Sequence, residues 1–258
     1  MKSENVQKPE NNRRDDIVIG RNSVSELLKS GRTVDHVLVA NTEKKGTVLQ
    51  ILSKCRELGI VVKEVSPTKL DFMSSGGNHQ GVIAACAVHE YSQLSDLFET
   101  AKEKGQDPFF IICDEIEDPH NLGAIIRTAE AAGAHGVIIP KRRSAALSFS
   151  VSKASAGALE HMKVVKVSNL AQTIDELKKE GVWIYGAHMD GQPWFKSDLT
   201  GAVALVIGSE GSGIGPLIRQ KCDVLLSIPM CGKINSLNAS VAGGILMYEV
   251  AKQRNFFL

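Results

Sequence analysis

Residues 203–215 read VALVIGSEGSGIG, an apolar run that ends in a turn containing four glycines. The apolar run predicts a buried strand, and Pro216 directly afterwards suits the first turn of a helix. Open α/β sheets bind ligands at such places, where the carboxyl ends of parallel strands meet the following helices. The stretch therefore predicts a parallel strand that carries a ligand-binding turn.

Two other stretches have the same arrangement. DPHNLGAIIRT, residues 118–128, follows the apolar run 109–113, and INSLNAS, residues 234–240, follows the run 224–229. Each combines glycine or asparagine with polar side chains at a predicted strand–helix junction. Taken singly, Asn121 could be a helix cap and Arg127 a solvated charge, and Ser236 or Asn238 could cap the last helix. Three such junctions in one part of the chain favour a shared site.

The glycine-rich turn differs from the two common phosphate-binding loops. A P-loop requires a lysine that is absent here, and a dinucleotide fingerprint counted from Gly211 would need glycine where Pro216 stands. The turn instead suits close backbone approach to a flat ligand without phosphates. A plain strand–helix turn would explain the glycines, but it would leave the carboxylate of Glu210 unexplained.

Composition excludes several classes of protein. The chain has 258 residues, 43% of them hydrophobic, with a formal net charge of +1, which favours neither nucleic acid nor any other partner. Its five cysteines form no C-x-x-C pair, so we expect small buried hydrophobes in a reducing cytoplasm. No apolar run is long enough to span a membrane. The histidines His120, His161 and His188 lack metal-ligand spacing, so no metal is expected.

The pattern along the chain predicts two α/β domains. Residues 1–15 are a polar tail expected to be disordered, 16–90 form a small domain, 91–107 a linker and connecting helix, and 108–258 a larger domain. Strand–helix alternation in the larger domain predicts a parallel sheet covered on both faces, with helices at 122–132, 151–161 and 238–254. A basic stretch in this domain suits a phosphate backbone or an ordinary charged loop, with Glu160 as the counter-charge; it comprises Lys141, Arg142, Arg143, Lys153, Lys163 and Lys166.

Together the three segments resemble the signature motifs of the SpoU (TrmH) family of RNA ribose 2′-O-methyltransferases, in the SPOUT superfamily, over residues 109–254. The first domain resembles the small RNA-binding domain, akin to certain ribosomal proteins, of the RlmB branch. That branch methylates a guanosine ribose in 23S ribosomal RNA. Asn235 stands where that branch is expected to have serine.

The resemblance implies the fold, the cofactor and the assembly. The sheet is expected to hold a deep trefoil knot between about Val203 and the last helix, against the usual rule for chain topology. S-adenosylmethionine is expected to lie bent in it, and the protein is expected to be a homodimer with its active site near the interface. The residues expected to hold the cofactor are Ala187, Gly208, Ser209, Ile228, Met230 and Leu237.

The resemblance also places five residues near the chemistry: Asn121, Arg127, Glu210, Ser236 and Asn238. A ribose 2′-oxygen would attack the methyl carbon in line, and no metal is required. A guanidinium stays charged at ordinary pH, so Arg127 is expected to stabilise the developing alkoxide or to relay the proton through a substrate phosphate. Glu210 could fix Arg127 by a charged pair.

Three alternatives follow from the same residues. A transfer-RNA enzyme of the same family would perform the same chemistry, and the motifs hardly separate the two, although the first domain favours ribosomal RNA. A non-catalytic RNA-binding assembly factor would lack Arg127 or the polar third segment, and both are present. A nucleotide-dependent oxidoreductase would need the missing dinucleotide fingerprint.

Overall fold

The computed structural model describes residues 17–30, 32–42, 45–87 and 89–255. The chain separates into two compact units between Cys86 and Ala87, shortly before the predicted boundary at residue 90. The predicted polar tail, residues 1–15, lies outside the described residues. Each unit has its own hydrophobic core and is described by itself.

The first unit is a four-stranded sheet in the order β1-β4-β2-β3, in which β2 and β3 are parallel and the other neighbours antiparallel. Along β2, Val37 and Val39 pack with helices α1 and α2, whereas Leu38 and Ala40 pack with α3 on the opposite face. Its elements are β1 (Ile17–Ile19), α1 (Arg21–Lys29), β2 (Val34–Ala40), α2 (Thr47–Glu57), β3 (Val61–Val65), α3 (Pro67–Ser74) and β4 (Val82–Cys86).

The second unit contains a six-stranded sheet in the order β10-β8-β9-β5-β6-β7, parallel throughout. This confirms the predicted parallel α/β sheet. Its elements are α4 (Leu94–Glu103), β5 (Phe109–Asp114), α5 (Pro119–Ala131), β6 (Gly136–Pro140), α6 (Phe149–Ala154), β7 (Val164–Val167), α7 (Leu170–Lys179), β8 (Trp183–Pro193), β9 (Val203–Gly208), α8 (Pro216–Lys221), β10 (Val224–Ser227) and α9 (Ala239–Gln253).

Both faces of this sheet are covered because successive residues of its inner strands are apolar and point to opposite faces. Phe109 and Ile111 of β5 pack with residues of α5, α6 and α9, whereas Phe110 and Ile112 pack with α4, α7 and α8. All six residues of β5 and all six of β9 are buried. The continuous apolar runs that predicted these strands therefore follow from burial on two faces.

Strand order brings the distant sequence segments together. The neighbours β5 and β9 pair in register, so that Asp114 stands opposite Gly208 at the carboxyl ends of the two strands. The helix that follows β5 and the glycine turn that follows β9 consequently start at the same edge of the sheet. The trefoil knot implied by the resemblance stays a prediction.

The predicted helix 151–161 is wrong in extent. Helix α6 ends at Ala154, and a separate short 3-10 helix covers Ala158–Glu160. Between them Ala156 and Gly157 both have positive φ, 49° and 91°, which ends a right-handed helix. The apolar pattern continued through this break and concealed it.

His135 links the beginning of β5 to the chain between α5 and β6. Its Nδ1 accepts a hydrogen bond from the Phe109 amide at 3.0 Å, and its Nε2 lies 2.9 Å from Gln106 Oε1. Burial, and then the cations Lys104 and Arg254, lower the pKa of His135 to about 4. The folded protein therefore holds this imidazole neutral, with the proton on Nε2.

This buried imidazole predicts a loss of stability in mild acid. Below pH 6.5 the unfolded chain protonates His135 while the folded chain does not, so stability falls as pH decreases toward about 4. We expect the unfolding free energy to fall by about 2–3 kcal/mol over that interval because of this residue. Urea unfolding of the wild type and of His135→Gln, which keeps a donor and an acceptor but no titrating proton, measures the difference. Equal losses in both proteins would contradict the assignment.

No described helix combines the length and the apolar character that crossing a membrane requires. Within the same residues, no three His, Cys, Asp or Glu side chains cluster in a way that could hold a metal ion.

Candidate functional site

Three side chains, one from each of the conspicuous segments, meet in one hydrogen-bonded cluster. Asn121 Nδ2 donates to Glu210 Oε1 at 3.0 Å, and Asn238 Nδ2 donates to Asn121 Oδ1 at 2.9 Å and also to Glu210 Oε1. We call these three residues the amide–carboxylate cluster. It joins the first turn of α5, the loop after β9 and the N-terminus of α9.

Helix capping explains why Asn121 is available for this cluster. The Asp118 side chain accepts from the His120 amide at 2.9 Å and caps α5, with Pro119 in the first turn. The alternative that Asn121 is the cap is therefore wrong. At the other helix Asn238, not Ser236, is the cap, because its Oδ1 accepts from the Ser240 amide at 2.9 Å and from Ser240 Oγ at 2.6 Å.

The cluster predicts a measurable contribution of Glu210 to stability. Glu210→Ala would leave the two asparagine amides without their common acceptor, whereas in Glu210→Gln an amide oxygen can still accept. We expect the alanine variant to lose about 1 kcal/mol of unfolding free energy and the glutamine variant to lose less. Urea denaturation measures both values, and an alanine variant as stable as the wild type would show that the cluster contributes nothing.

A cavity of about 320 Å³ opens beside this cluster, at the carboxyl ends of β9 and β10 and next to residues 187–189 in the middle of β8. The six residues predicted to hold a cofactor all line it: Ala187, Gly208, Ser209, Ile228, Met230 and Leu237. Glu210 and Ser236 line it as well, whereas Asn121, Asn238 and Arg127 are not among its lining residues. Sequence reasoning missed His188, Met189 and Ala242, which also line the cavity and carried no local signal.

The glycine loop, residues 208–215, is held in one shape by backbone contacts. Ser209 and Gly213 exchange two backbone hydrogen bonds of 3.0 Å each, and Gly211 has a φ of 88°, which favours glycine. A Cβ atom on Gly208 would overlap the backbone of Gly213 and Ile214. The loop can close on itself this tightly only with glycine at residue 208.

Asp114 fastens the far end of this loop to β5. Its carboxyl group is buried, and Oδ2 accepts from the Gly215 amide at 2.7 Å. Burial raises the pKa of Asp114 above its usual range, and the hydrogen bond from Gly215 opposes that rise. The sequence analysis did not single out Asp114, although an acidic residue at the end of a buried strand is an available signal.

Arg127 lies apart from the cluster. Its side chain is exposed on α5 and forms no hydrogen bond or ion pair with the residues that the structure describes. The predicted Glu210–Arg127 pair is not formed, because Glu210 Oε1 receives the amides of Asn121 and Asn238 instead. The guanidinium is therefore accessible to a ligand or to a second protein chain.

The cations of the basic stretch differ in whether their side chains have polar partners. Arg143 forms an ion pair with Glu115 at 2.8 Å, so the expectation that Glu160 is its only counter-charge is wrong. Glu160 instead lies 3.4 Å from His89 Nε2. Lys163 donates to the Asp96 carbonyl at 3.2 Å, and Lys166 lies over the Tyr91 ring at 4.8 Å. The side chains of Lys141 and Arg142 are exposed just after the end of β6 and have no polar partner within the described ranges.

The chain resembles known proteins in its family profiles, its sequence and its structure. Residues 108–248 match the sequence profile of the SpoU rRNA Methylase family, and residues 17–92 match that of the RNA 2′-O ribose methyltransferase substrate-binding family. YacO of Bacillus subtilis, assigned to the TrmH family of tRNA/rRNA methyltransferases, is 50% identical over 241 residues, covering 93% of this chain and 96% of YacO. A similarly assigned protein of Staphylococcus saprophyticus is 45% identical over 243 residues, with coverage of 93% and 96%.

Solved structures of the same kind align over most of the chain. The SpoU methyltransferase AviRb of Streptomyces viridochromogenes, in complex with AdoMet, aligns with a TM-score of 0.60 and 25% identity, covering 93% of this chain and 90% of AviRb. The AdoMet-bound rRNA methyltransferase of Sinorhizobium meliloti gives a TM-score of 0.58 and 25% identity, with coverage of 94% and 87%. The TrmH/SpoU tRNA-modifying enzyme of A. aeolicus gives 0.54 and 28%, but covers only 62% of this chain and 85% of its own.

Proposed function

This chain belongs to the SpoU rRNA methylase family, and we propose that it transfers the methyl group of S-adenosylmethionine to a guanosine ribose 2′-hydroxyl in 23S ribosomal RNA. The observation that carries the proposal is the cavity beside the amide–carboxylate cluster. It is lined by residues of two of the three conspicuous segments, and the cluster joins all three.

The cavity fits the proposed cofactor. Its volume, about 320 Å³, is in the range of small-molecule sites. Apolar residues of the lining, among them Ile207, Leu226 and Ile228, suit an adenine ring, and the carboxylate of Glu210 suits a positively charged sulfonium. The backbone of the glycine loop offers donors and acceptors to the remaining polar atoms. When bound, the cofactor would supply a methyl carbon attached to a cationic sulfur, which is a good leaving group.

The residues of this chain would then position the ribose and manage its proton. Asn121 and Asn238 hold the Glu210 carboxylate at the edge of the cavity, so this carboxylate is in position before the substrate arrives. The O–H bond of the 2′-hydroxyl must break as the oxygen forms its bond to carbon. We propose that this proton passes to an oxygen of a substrate phosphate, and that Arg127 stabilises the negative charge on the ribose oxygen. Ser236, which lines the cavity, would donate a hydrogen bond nearby.

A homodimer would place further groups beside Arg127. Helix α9 leaves Val241 51% exposed and Tyr248 44% exposed, seven positions apart and hence on one helix face. Gly243 of the same helix is buried and packs against Ile207 of this chain, so the exposed side chains of α9 would form the contact. We propose that α9 contributes to the dimer interface and that the enzyme acts in the cytoplasm, where its RNA is found.

The proposed substrate is ribosomal rather than transfer RNA. Support comes from the first unit: the rRNA methyltransferase of S. meliloti aligns over 94% of this chain, whereas the tRNA-modifying enzyme of A. aeolicus aligns over 62%. Mapping of ribose methylation in total RNA from a strain lacking the gene tests this choice. We expect one guanosine of 23S RNA to lose its 2′-O-methyl group; loss of a transfer-RNA methylation instead would favour the second candidate.

The first unit is proposed to bind RNA without taking part in chemistry. A truncated protein that begins at Ala87 keeps the whole second core, because the two units have separate clusters of buried residues. We expect this truncation to weaken RNA binding by about tenfold or more, corresponding to 1.4 kcal/mol, while calorimetric affinity for S-adenosylmethionine stays unchanged. Equal RNA affinity in the full and truncated proteins would refute the role.

A further inference from the structure

A second cavity, of about 670 Å³, lies beside the glycine loop. It shares Ser212, Gly213 and His188 with the cavity proposed for the cofactor, so the two cavities have a common wall. The proposed mechanism uses none of the groups that line only this second cavity. Its size suits a ligand of several hundred Å³, larger than a single phosphate ion.

The lining of the second cavity combines apolar groups, two cations and the carboxylate of Glu115. Ile214, Pro216 and Leu225 supply apolar surface, and Arg143 and Arg219 supply two guanidinium groups. The side chains of Arg143 and Arg219 are 72% and 40% exposed, so both can contact a ligand. Apolar surface next to a guanidinium suits a nucleobase, and the guanidinium suits a phosphate or a base face.

Each arginine forms an ion pair with one carboxylate and remains exposed to solvent. Arg143 pairs with Glu115 at 2.8 Å, and Arg219 pairs with Asp190 at 3.1 Å. Arg219 also lies 3.1 Å from His188 Nε2. Exposed ion pairs of this kind add little stability, so the stability of the fold does not explain them.

The first of these pairs is built from strained backbone. Glu115 and Arg143 both have positive φ, 58° and 53°, at the carboxyl ends of β5 and β6. Such a conformation costs a non-glycine residue roughly 1–2 kcal/mol, so the surrounding structure must hold it in place. The two side chains lie 28 positions apart in the chain and meet at the cavity.

Two further cations lie along the same edge of the sheet. Lys141 and Arg142 directly precede Arg143, and their side chains are exposed and have no polar partner in the part of the chain that the structure describes. The edge beside the second cavity therefore carries uncompensated cations, which favour a polyanion.

We infer that the second cavity binds a nucleotide of the RNA substrate that flanks the methylated one, with Arg143 and Arg219 as its ligands. This inference rests on the proposed function, because it makes the cavity a subsite of the same RNA. The base packs against Pro216 and Leu225, and the phosphodiester backbone runs toward Lys141 and Arg142. Because the wall is shared, a nucleotide here steadies residues 212–213 of the glycine loop.

Paired substitutions separate this role from a structural one. Arg143→Gln and Glu115→Gln remove the same ion pair, and Arg219→Gln and Asp190→Asn remove the other. Affinity for fluorescent single-stranded RNA and for protein-free 23S RNA is measured with each full-length variant. We expect each arginine variant to bind RNA about tenfold more weakly and each acid variant to bind as tightly as the wild type or more tightly. If the arginine variant and the acid variant of each pair change the RNA affinity equally, or if neither changes it, the inference is overturned.

Salt dependence and a charge-matched control complete the test. Each arginine variant should lower the slope of log affinity against log salt by about 0.7, the value for one lost contact to a single strand. Lys102→Ala removes a cation from the end of α4, at the opposite edge of the sheet, and should leave the slope unchanged. A slope change in Lys102→Ala equal to that of the arginine variants would also overturn the inference. Calorimetry with S-adenosylmethionine detects failure of the proposed function separately. None of these variants alters a residue that lines the cofactor cavity.

Discussion

Arg127→Ala is expected to abolish methyl transfer while S-adenosylmethionine binds with the affinity of the wild type. The guanidinium does not line the cofactor cavity and forms no bond within the described residues, so its removal disturbs neither the cavity nor the fold. Loss of a group that stabilises a developing oxyanion costs about 10²–10³-fold in kcat. Single-turnover methyl transfer gives the rate, and calorimetry gives the cofactor affinity.

Arg127→Lys is the matched control for this prediction. It keeps the charge but loses the planar fork, so we expect a partial rescue of the rate. An alanine variant that retains most of the wild-type rate would show that Arg127 is not part of the chemistry. An alanine variant that loses cofactor affinity in parallel would show that Arg127 supports the cavity instead.

Gly208→Ala is expected to weaken cofactor binding by about 10–100-fold, which corresponds to the 1–3 kcal/mol cost of overpacking. The added Cβ would meet the backbone of Gly213 and Ile214, and neither can rotate away as a flexible side chain would. The loop that forms one wall of the cavity must therefore open. Calorimetric titration measures the affinity, and circular dichroism checks that the sheet remains folded.

Gly201→Ala is the control for added volume. Gly201 lies just before the same strand, β9, and a Cβ there would meet no atom within 4 Å. We expect this variant to bind the cofactor like the wild type. Wild-type affinity in Gly208→Ala would mean that the glycine loop does not form the binding site.

The parallel sheet could be predicted from sequence because strands buried on two faces are continuous apolar runs. The apolar runs of β5 and β9 can be read as strands without any knowledge of their neighbours. Local pattern could not show that these two strands lie side by side. That adjacency is what brings Asn121 within 3.0 Å of Glu210, 89 positions later.

Site residues could be predicted from the sequence where their residue type is unusual for the position. They were missed where the residue type is common there. A carboxylate in a glycine turn singled out Glu210, and the glycine loop indicated the cavity wall. Asp118 as the cap of α5 was missed because Asn121 is an equally good capping type. The break at Ala156 was missed because alanine rarely adopts a positive φ, and here it does.

The basic stretch shows a different limit of sequence reasoning. Net charge along a segment could not reveal that Glu115, on another strand, pairs with Arg143. Nor could it show which cations keep their charge available. The side chains of Lys141 and Arg142 have no polar partner among the described residues, whereas that of Lys163 donates to a carbonyl of α4.

The most direct test of the central claim is the chemical position of the transferred methyl group. Protein-free 23S RNA is incubated with the enzyme and S-adenosylmethionine that carries a labelled methyl group, and the RNA is then hydrolysed with alkali. A ribose with a methylated 2′-oxygen has lost the nucleophile for alkaline cleavage, so we expect the label in an alkali-resistant dinucleotide. Label recovered in mononucleotides, or no incorporation by an enzyme that binds the cofactor, would contradict it.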